Sequence, residues 1–165
     1  MRARRLEGWG SAQTRGENGA IESDERVTLS RPVVPLTQAG ALELGERYWN
    51  EVTRATLGLV RVRALPAGSA LRAPLGVSLL RFGPVELASG DEGVSCRFPI
   101  LGGVLALQAG GAFVLSQSND GTAQLRATVT GFMPRLGSRP YDQIQRRIHV
   151  AISRRFFRRL LREHA

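Results

Sequence analysis

The sequence predicts an α+β fold: an antiparallel meander of about six strands folded around one long C-terminal helix. Three observations carry that expectation. Short apolar runs between Val60 and Phe132 alternate with polar residues at the two-residue period of a strand. Separators rich in Gly, Asn and Asp punctuate them. From Pro140 the apolar spacing becomes helical, and a helix through Glu163 would span roughly 37 Å at the standard rise per residue.

Taken in chain order, residues 1–27 read as a flexible leader, because glycines are interspersed with polar residues and no apolar period appears. Within it, Trp9 reads as a chance aromatic rather than a docking site. The stretch from Val27 to Leu36 is extended in character. Pro32 and Pro35 forbid a helix interior and point to an edge strand or a surface strap. Gln38 to Thr56 reads as one helix or two short ones. Leu42, Leu44, Tyr48, Trp49 and Val52 recur at roughly helical spacing, with Gly40 and Gly45 as weak points.

Strand signals follow at Val60 and Val62, at Val77 to Phe82, and at Val85 to Leu87. Val94, Cys96 and Phe98 alternate cleanly with Ser95 and Arg97. Val104 to Gln108, Ala112 to Gln117 and Gln124 to Phe132 complete the meander, divided at Ala109 to Gly111 and at Ser118 to Gly121. Phe98 to Asn119 carries no charge over 22 residues, a length that can cross a bilayer. Pro99, four glycines and two glutamines within it favour a buried hairpin.

At 165 residues and 42% hydrophobic content, the chain has enough material for one core, placed in a single domain over residues 28–165. Cys96 is the lone cysteine, so no intramolecular disulfide forms, which fits a reducing compartment. No apolar stretch follows the charged N-terminus as a secretory signal would require, and a cytoplasmic location is expected. All 23 basic residues are Arg. A Walker lysine and a Schiff-base lysine are thereby excluded. Arg-only usage in a chain rich in Ala, Gly and Leu also fits a coding bias toward GC-rich codons.

Charge is concentrated at the end: the segment from Arg135 onward holds nine Arg against Asp142 and Glu163, net +7 of the total +9. The basic helix is placed over residues 139–163, with Ser138 as N-cap, Pro140 in the first turn and Asp142 near the positive end of the dipole. At 100° per residue, Tyr141, Ile144, Ile148, Ala151 and Ile152 share one face, as for docking on a sheet. Phe156, Phe157, Leu160 and Leu161 form a second arc, rotated by roughly 150° from the first. Arg154, Arg155, Arg158, Arg159 and Arg162 oppose it, and Arg155, Arg159 and Arg162 continue the Ile144/Ile148 stripe. One flat sheet cannot bury both arcs of a straight helix. Either the helix bends near Ser153, or its end projects, or the second arc closes one end of the same core or meets another surface. That surface is the Gln38–Thr56 helix, a second subunit in a homodimer, or a membrane interface.

This element order (N-terminal strand, helical segment, meander from Val60 to Phe132, long helix from Pro140) resembles the helix-grip fold of the START/polyketide-cyclase-like (SRPBCC) superfamily over roughly residues 27–163. The resemblance implies an apolar cavity between sheet and long helix that holds a lipid-like or aromatic small molecule. The basic, out-of-phase helix end departs from that pattern.

Candidate chemistry is sparse. One Cys and two His do not supply a usual zinc ligand set without carboxylates, and no metal or cofactor is expected. No Gly-x-Ser-x-Gly, Gly-x-Gly-x-x-Gly or His-Glu-x-x-His occurs. Cys96 sits in an alternating strand and reads as a small core residue. Gln145 and His149 lie one helical turn apart on the flank of the Ile stripe, and with Tyr141 and Arg97 they are the candidate ligand-binding residues of an apolar pocket. His149 as acid or base would make the protein a cyclase- or hydrolase-like enzyme. A histidine bonded to a backbone carbonyl is the plainer reading, and binding without catalysis is the expectation. Arg154, Arg155, Arg158, Arg159 and Arg162 are the candidate anionic-surface residues for anionic lipid or nucleic acid. Phe156 and Phe157 lie opposite those arginines, whereas base stacking needs aromatic and basic residues on one face.

Overall fold

The computed structural model describes residues 6–65, 68–135 and 141–164, with backbone alone for Leu65, Tyr141 and Asp142. It is an α+β fold in which an open, wholly antiparallel sheet carries a long C-terminal helix on one face. The described residues form nine strands rather than about six: β1 (Gly10–Arg15), β2 (Ile21–Thr28), β3 (Arg61–Leu65), β4 (Gly68–Arg72), β5 (Ser78–Phe82), β6 (Glu86–Gly90), β7 (Gly93–Gly102), β8 (Ala112–Ser118) and β9 (Gln124–Phe132). Their order is β1-β2-β9-β8-β7-β5-β4-β3. The first half of β7 pairs β6 and its far end pairs β5.

Two-residue alternation decides which face is core. Val94, Cys96, Phe98 and Ile100 of β7 point inward, in register with Leu115 and Phe113 of β8 and with Ala127 and Val129 of β9. Val104 to Gln108 is not a strand. It contributes one bridge, Ala106 to Pro134, because Gly102 and Gly103 hold left-handed backbone that ends the ladder. The uncharged run from Phe98 thus supplies the end of β7 and β8, and among the described residues no helix is long and apolar enough to cross a membrane.

The leader reading is corrected by β1 and β2. Between Gly10 and Thr28 the chain makes a hairpin whose second strand pairs β9. Its inward positions are Ile21, Ser23, Glu25 and Val27, and the two polar ones hide the apolar alternation that marks a strand. Residues 29–37 then cross as a strap. Gln117, fully buried on β8, accepts from Val33 N (2.7 Å) and Val34 N (3.1 Å) and donates to Val34 O (2.9 Å). Backbone groups that the prolines keep out of a ladder are satisfied in this way.

Helix α1 (Gln38–Ala55) is continuous, capped by Thr37, whose hydroxyl accepts from Gly40 N. Its glycines are points of close approach rather than breaks. A Cβ at Gly45 would stand 2.7 Å from Cys96 Sγ, and one at Gly40 would stand 2.0 Å from Pro35 O. The C-terminal helix α2 (Arg146–Glu163) follows one π-helical turn, Tyr141–Gln145. Ser138 and Pro140, the expected N-cap and first-turn residues, lie outside the described residues. Helix α1 packs on β6, β7 and β8, and α2 packs on α1 and β2.

The aromatic arc, not the isoleucine stripe, docks α2. Phe156, Phe157 and Leu160 are buried, with Phe156 edge-on to Tyr48 of α1 (centroids 5.2 Å) and Phe157 edge-on to Trp9 (6.0 Å). Trp9 is therefore a packing residue, with the Arg154 guanidinium 5.7 Å from its ring centre. Ile144 and Ile148 remain 57% and 53% exposed, and Ala151 is exposed. The expected docking of that face on the sheet is corrected: the stripe overhangs an open space.

Candidate functional site

That space is a cavity of about 370 Å³ between the inner sheet face, α1 and the start of α2. Its floor includes Phe82, Ile100, Phe113 and Val129, and its wall includes Trp49 and Val52 of α1. Ile144, Ile148 and Ile152 overhang it, and the exposure of the first two marks an open mouth beside them. The lining is overwhelmingly apolar, with Thr56, Gln145 and His149 among its few polar contributors. The volume lies toward the lower end of the roughly 300–1,000 Å³ typical of small-molecule pockets.

A chain of polar side chains runs behind one wall. Glu25, 1% exposed on β2, lies with Oε2 2.9 Å from His149 Nε2 and accepts from Ser11 Oγ (3.3 Å) on its other oxygen. With Nε2–H donating to Glu25, His149 Nδ1 accepts from the Tyr48 hydroxyl (3.4 Å), which also lies 3.5 Å from Ser153 Oγ. Burial pushes the Tyr48 hydroxyl well above the usual phenol range, more than the Ser153 bond lowers it, and the charge of Glu25 adds to the rise. Both imidazole nitrogens are thus engaged. The partner on Nε2 is a carboxylate rather than the backbone carbonyl expected from sequence, and the ring edge packs on Phe113 (5.8 Å).

Of the four ligand-binding candidates, Gln145 and His149 line the cavity together. The Tyr141 side chain lies outside the described residues. Arg97 is elsewhere: it alternates with the inward Cys96 and Phe98, and so projects from the opposite face to pair Glu86 at 2.7 Å. Cys96 is fully buried, and burial together with the charge of Glu46 pushes its thiol up to about 12. A thiol held neutral in this way is no nucleophile at neutral pH.

The five anionic-surface candidates do not form one free face. Arg155 Nε donates to Oε1 of Glu51, and Arg159 Nη1 donates to its Oε2 at 3.3 Å. Arg159 Nε also reaches Glu163 (3.3 Å). Arg154 stacks on Trp9, while Arg158 and Arg162 border a polar groove with Glu51 and Glu163. The phase change along α2 now has its physical reason. One angular stripe faces the cavity as Ile144 and Ile148, then faces the fully buried Glu51 carboxylate of α1 as Arg155 and Arg159.

Sequence reasoning missed Glu25 and Glu51. The first lacks an apolar alternation around it, and the second lies in an amphipathic helix where a carboxylate reads as solvent-facing. Among the described residues no cluster of three metal-ligating side chains occurs. No family model matches this chain, and no match was found among curated proteins or solved structures.

Proposed function

We propose that the protein binds a small apolar or aromatic molecule in the cavity between sheet and α2, without catalysis, as a member of the SRPBCC (START/polyketide-cyclase-like) superfamily. The observation that carries the reading is the 370 Å³ of apolar-lined space under Ile144 to Ile152. Apolar side chains that line a hollow of this size forgo the burial that would otherwise stabilise the fold. A fold that keeps such a space gains when a ligand fills it. Gln145, whose Oε1 is buried without a hydrogen-bond partner, supplies the polar contact that orients the ligand, and His149 contributes its ring edge to the wall.

The enzyme alternative is less favoured because His149 has no free ring nitrogen. Binding of anionic lipid or nucleic acid by α2 is less favoured because Arg155 and Arg159 are committed to Glu51. The test is titration with Nile red of the natural chain and of Val129→Phe, which fills the cavity from its floor. The variant is expected to bind at least about tenfold more weakly while its thermal midpoint holds or rises, since the added ring occupies empty space. Equal affinity in a folded Val129→Phe protein overturns the proposal.

A further inference from the structure

One wall of the cavity continues into a second feature that the binding reading does not use. The loop joining α1 to β3 runs from Thr56 to Val60, both cavity-lining residues, and carries Leu57 and Leu59 between them, 90% and 61% exposed. The β4–β5 turn, residues 73–77, joins the cavity-lining Leu71 and Leu79 and carries Leu75, which is fully exposed. Leu59 and Leu75 border one shallow groove. These leucines therefore stand at a tip whose base is the cavity wall.

Their backbone makes the exposure more than incidental. Leu57 (φ 53°) and Leu75 (φ 62°) are the only non-glycine residues in left-handed conformation among those described, and each precedes a left-handed glycine, Gly58 or Gly76. Leucine adopts this region at a cost in free energy, and such turns and helix ends favour Asn or Gly. At Leu57 the left-handed backbone closes α1, with Leu57 N donating to Arg54 O and Gly58 N to Thr53 O; stability there calls for Gly or Asn, and the leucine side chains at both positions face water and bury nothing in the fold.

Charge at the tip supplies the second observation. The same groove is lined by Arg61, Arg63 and Arg72, and none of its lining residues is acidic. Arg61 and Arg72 are direct cross-strand partners, an arrangement of like charges that destabilises a ladder unless an anion lies near. Exposed leucines backed by arginines match the chemistry of a surface with an apolar interior and anionic headgroups.

We propose that this tip inserts into an anionic membrane surface, Leu57, Leu59 and Leu75 entering the acyl boundary and Arg61, Arg63 and Arg72 meeting phosphate headgroups, so that one wall of the cavity stands at the lipid surface. The membrane face is then the β3–β5 tip rather than the basic helix α2. Docking rests on the cavity reading only for the nature of the cargo.

The experiment is co-sedimentation with phosphatidylcholine vesicles, with and without phosphatidylglycerol, using the full chain and Leu57→Asn/Leu75→Asn. Asn suits left-handed backbone, so the variant is expected to keep or raise its thermal midpoint. Its affinity for phosphatidylglycerol vesicles should fall at least about tenfold. Arg61→Gln and Arg63→Gln should each lower affinity about fivefold and weaken the preference for phosphatidylglycerol. Unchanged sedimentation of the Asn variant, or a natural chain that ignores vesicles but binds duplex DNA, overturns the proposal. The Nile red titration in vesicle-free buffer reads the cavity separately, so failure of docking and failure of the cavity are told apart.

Discussion

Removal of the arginines that face Glu51 should reveal how α2 is held to α1. The Glu51 side chain is 0% exposed, and its two oxygens receive Arg155 and Arg159, with Arg54 3.9 Å away. A charge-assisted hydrogen bond contributes about 1.5–3 kcal/mol when buried. Arg155 and Arg159 are 56% and 44% exposed, so solvent screening reduces each to about 1 kcal/mol. Arg155→Ala or Arg159→Ala alone should therefore lower stability by about 1 kcal/mol. The double variant should lose about 3 kcal/mol or more, because it strands a buried carboxylate. For a chain of this size that corresponds to a fall of roughly 6–12 °C in thermal midpoint.

Adding Glu51→Leu to the double variant should restore most of the loss, since no charge is left to bury. The assay is urea denaturation. Additive single effects with no recovery in the triple variant would refute the reasoning and make the Glu51 cluster a set of ordinary surface pairs.

Two further substitutions probe the frame around the cavity. Gln117→Leu removes three bonds to the strap and leaves the buried Val33 and Val34 backbone groups unpaired, so it should lower stability by about 3 kcal/mol. Hydrogen exchange should show the Val33 and Val34 amides losing protection first. Gly45→Ala gains up to about 1 kcal/mol of helix propensity, but its Cβ would crowd Cys96 Sγ and Phe98 at a cost of about 1–3 kcal/mol. A net fall in thermal midpoint is expected, with recovery when Cys96→Ala is added.

What was legible in the sequence follows from how local each signal is. The alternation in β7 and the Ser118–Gly121 turn between β8 and β9 are local patterns, and both appear in the fold. The helical period from Ile144 onward was legible too, and so was the mismatch between its two apolar arcs. What remained hidden is non-local. β2 lacks apolar alternation because Ser23 and Glu25 occupy inward positions, and Glu25 is tolerated there through His149, 124 residues away. The turn of the α2 stripe from isoleucine to arginine made sense only once Glu51, more than a hundred residues earlier, stood opposite. Gly40 and Gly45 read as weak points because helix propensity is local, whereas the close packing that requires them is not. Gln145 and His149 line the cavity together because one helical turn separates them; Arg97 lies away from it because strand alternation sends it to the other face.

The most direct test of the cavity is native mass spectrometry of the 18.0 kDa chain purified without detergent from its own host, before and after denaturation. The folded protein should carry the extra mass of one small apolar molecule, released on unfolding. A folded protein that equals the mass of its chain alone, under conditions in which Nile red also fails to bind, would contradict it.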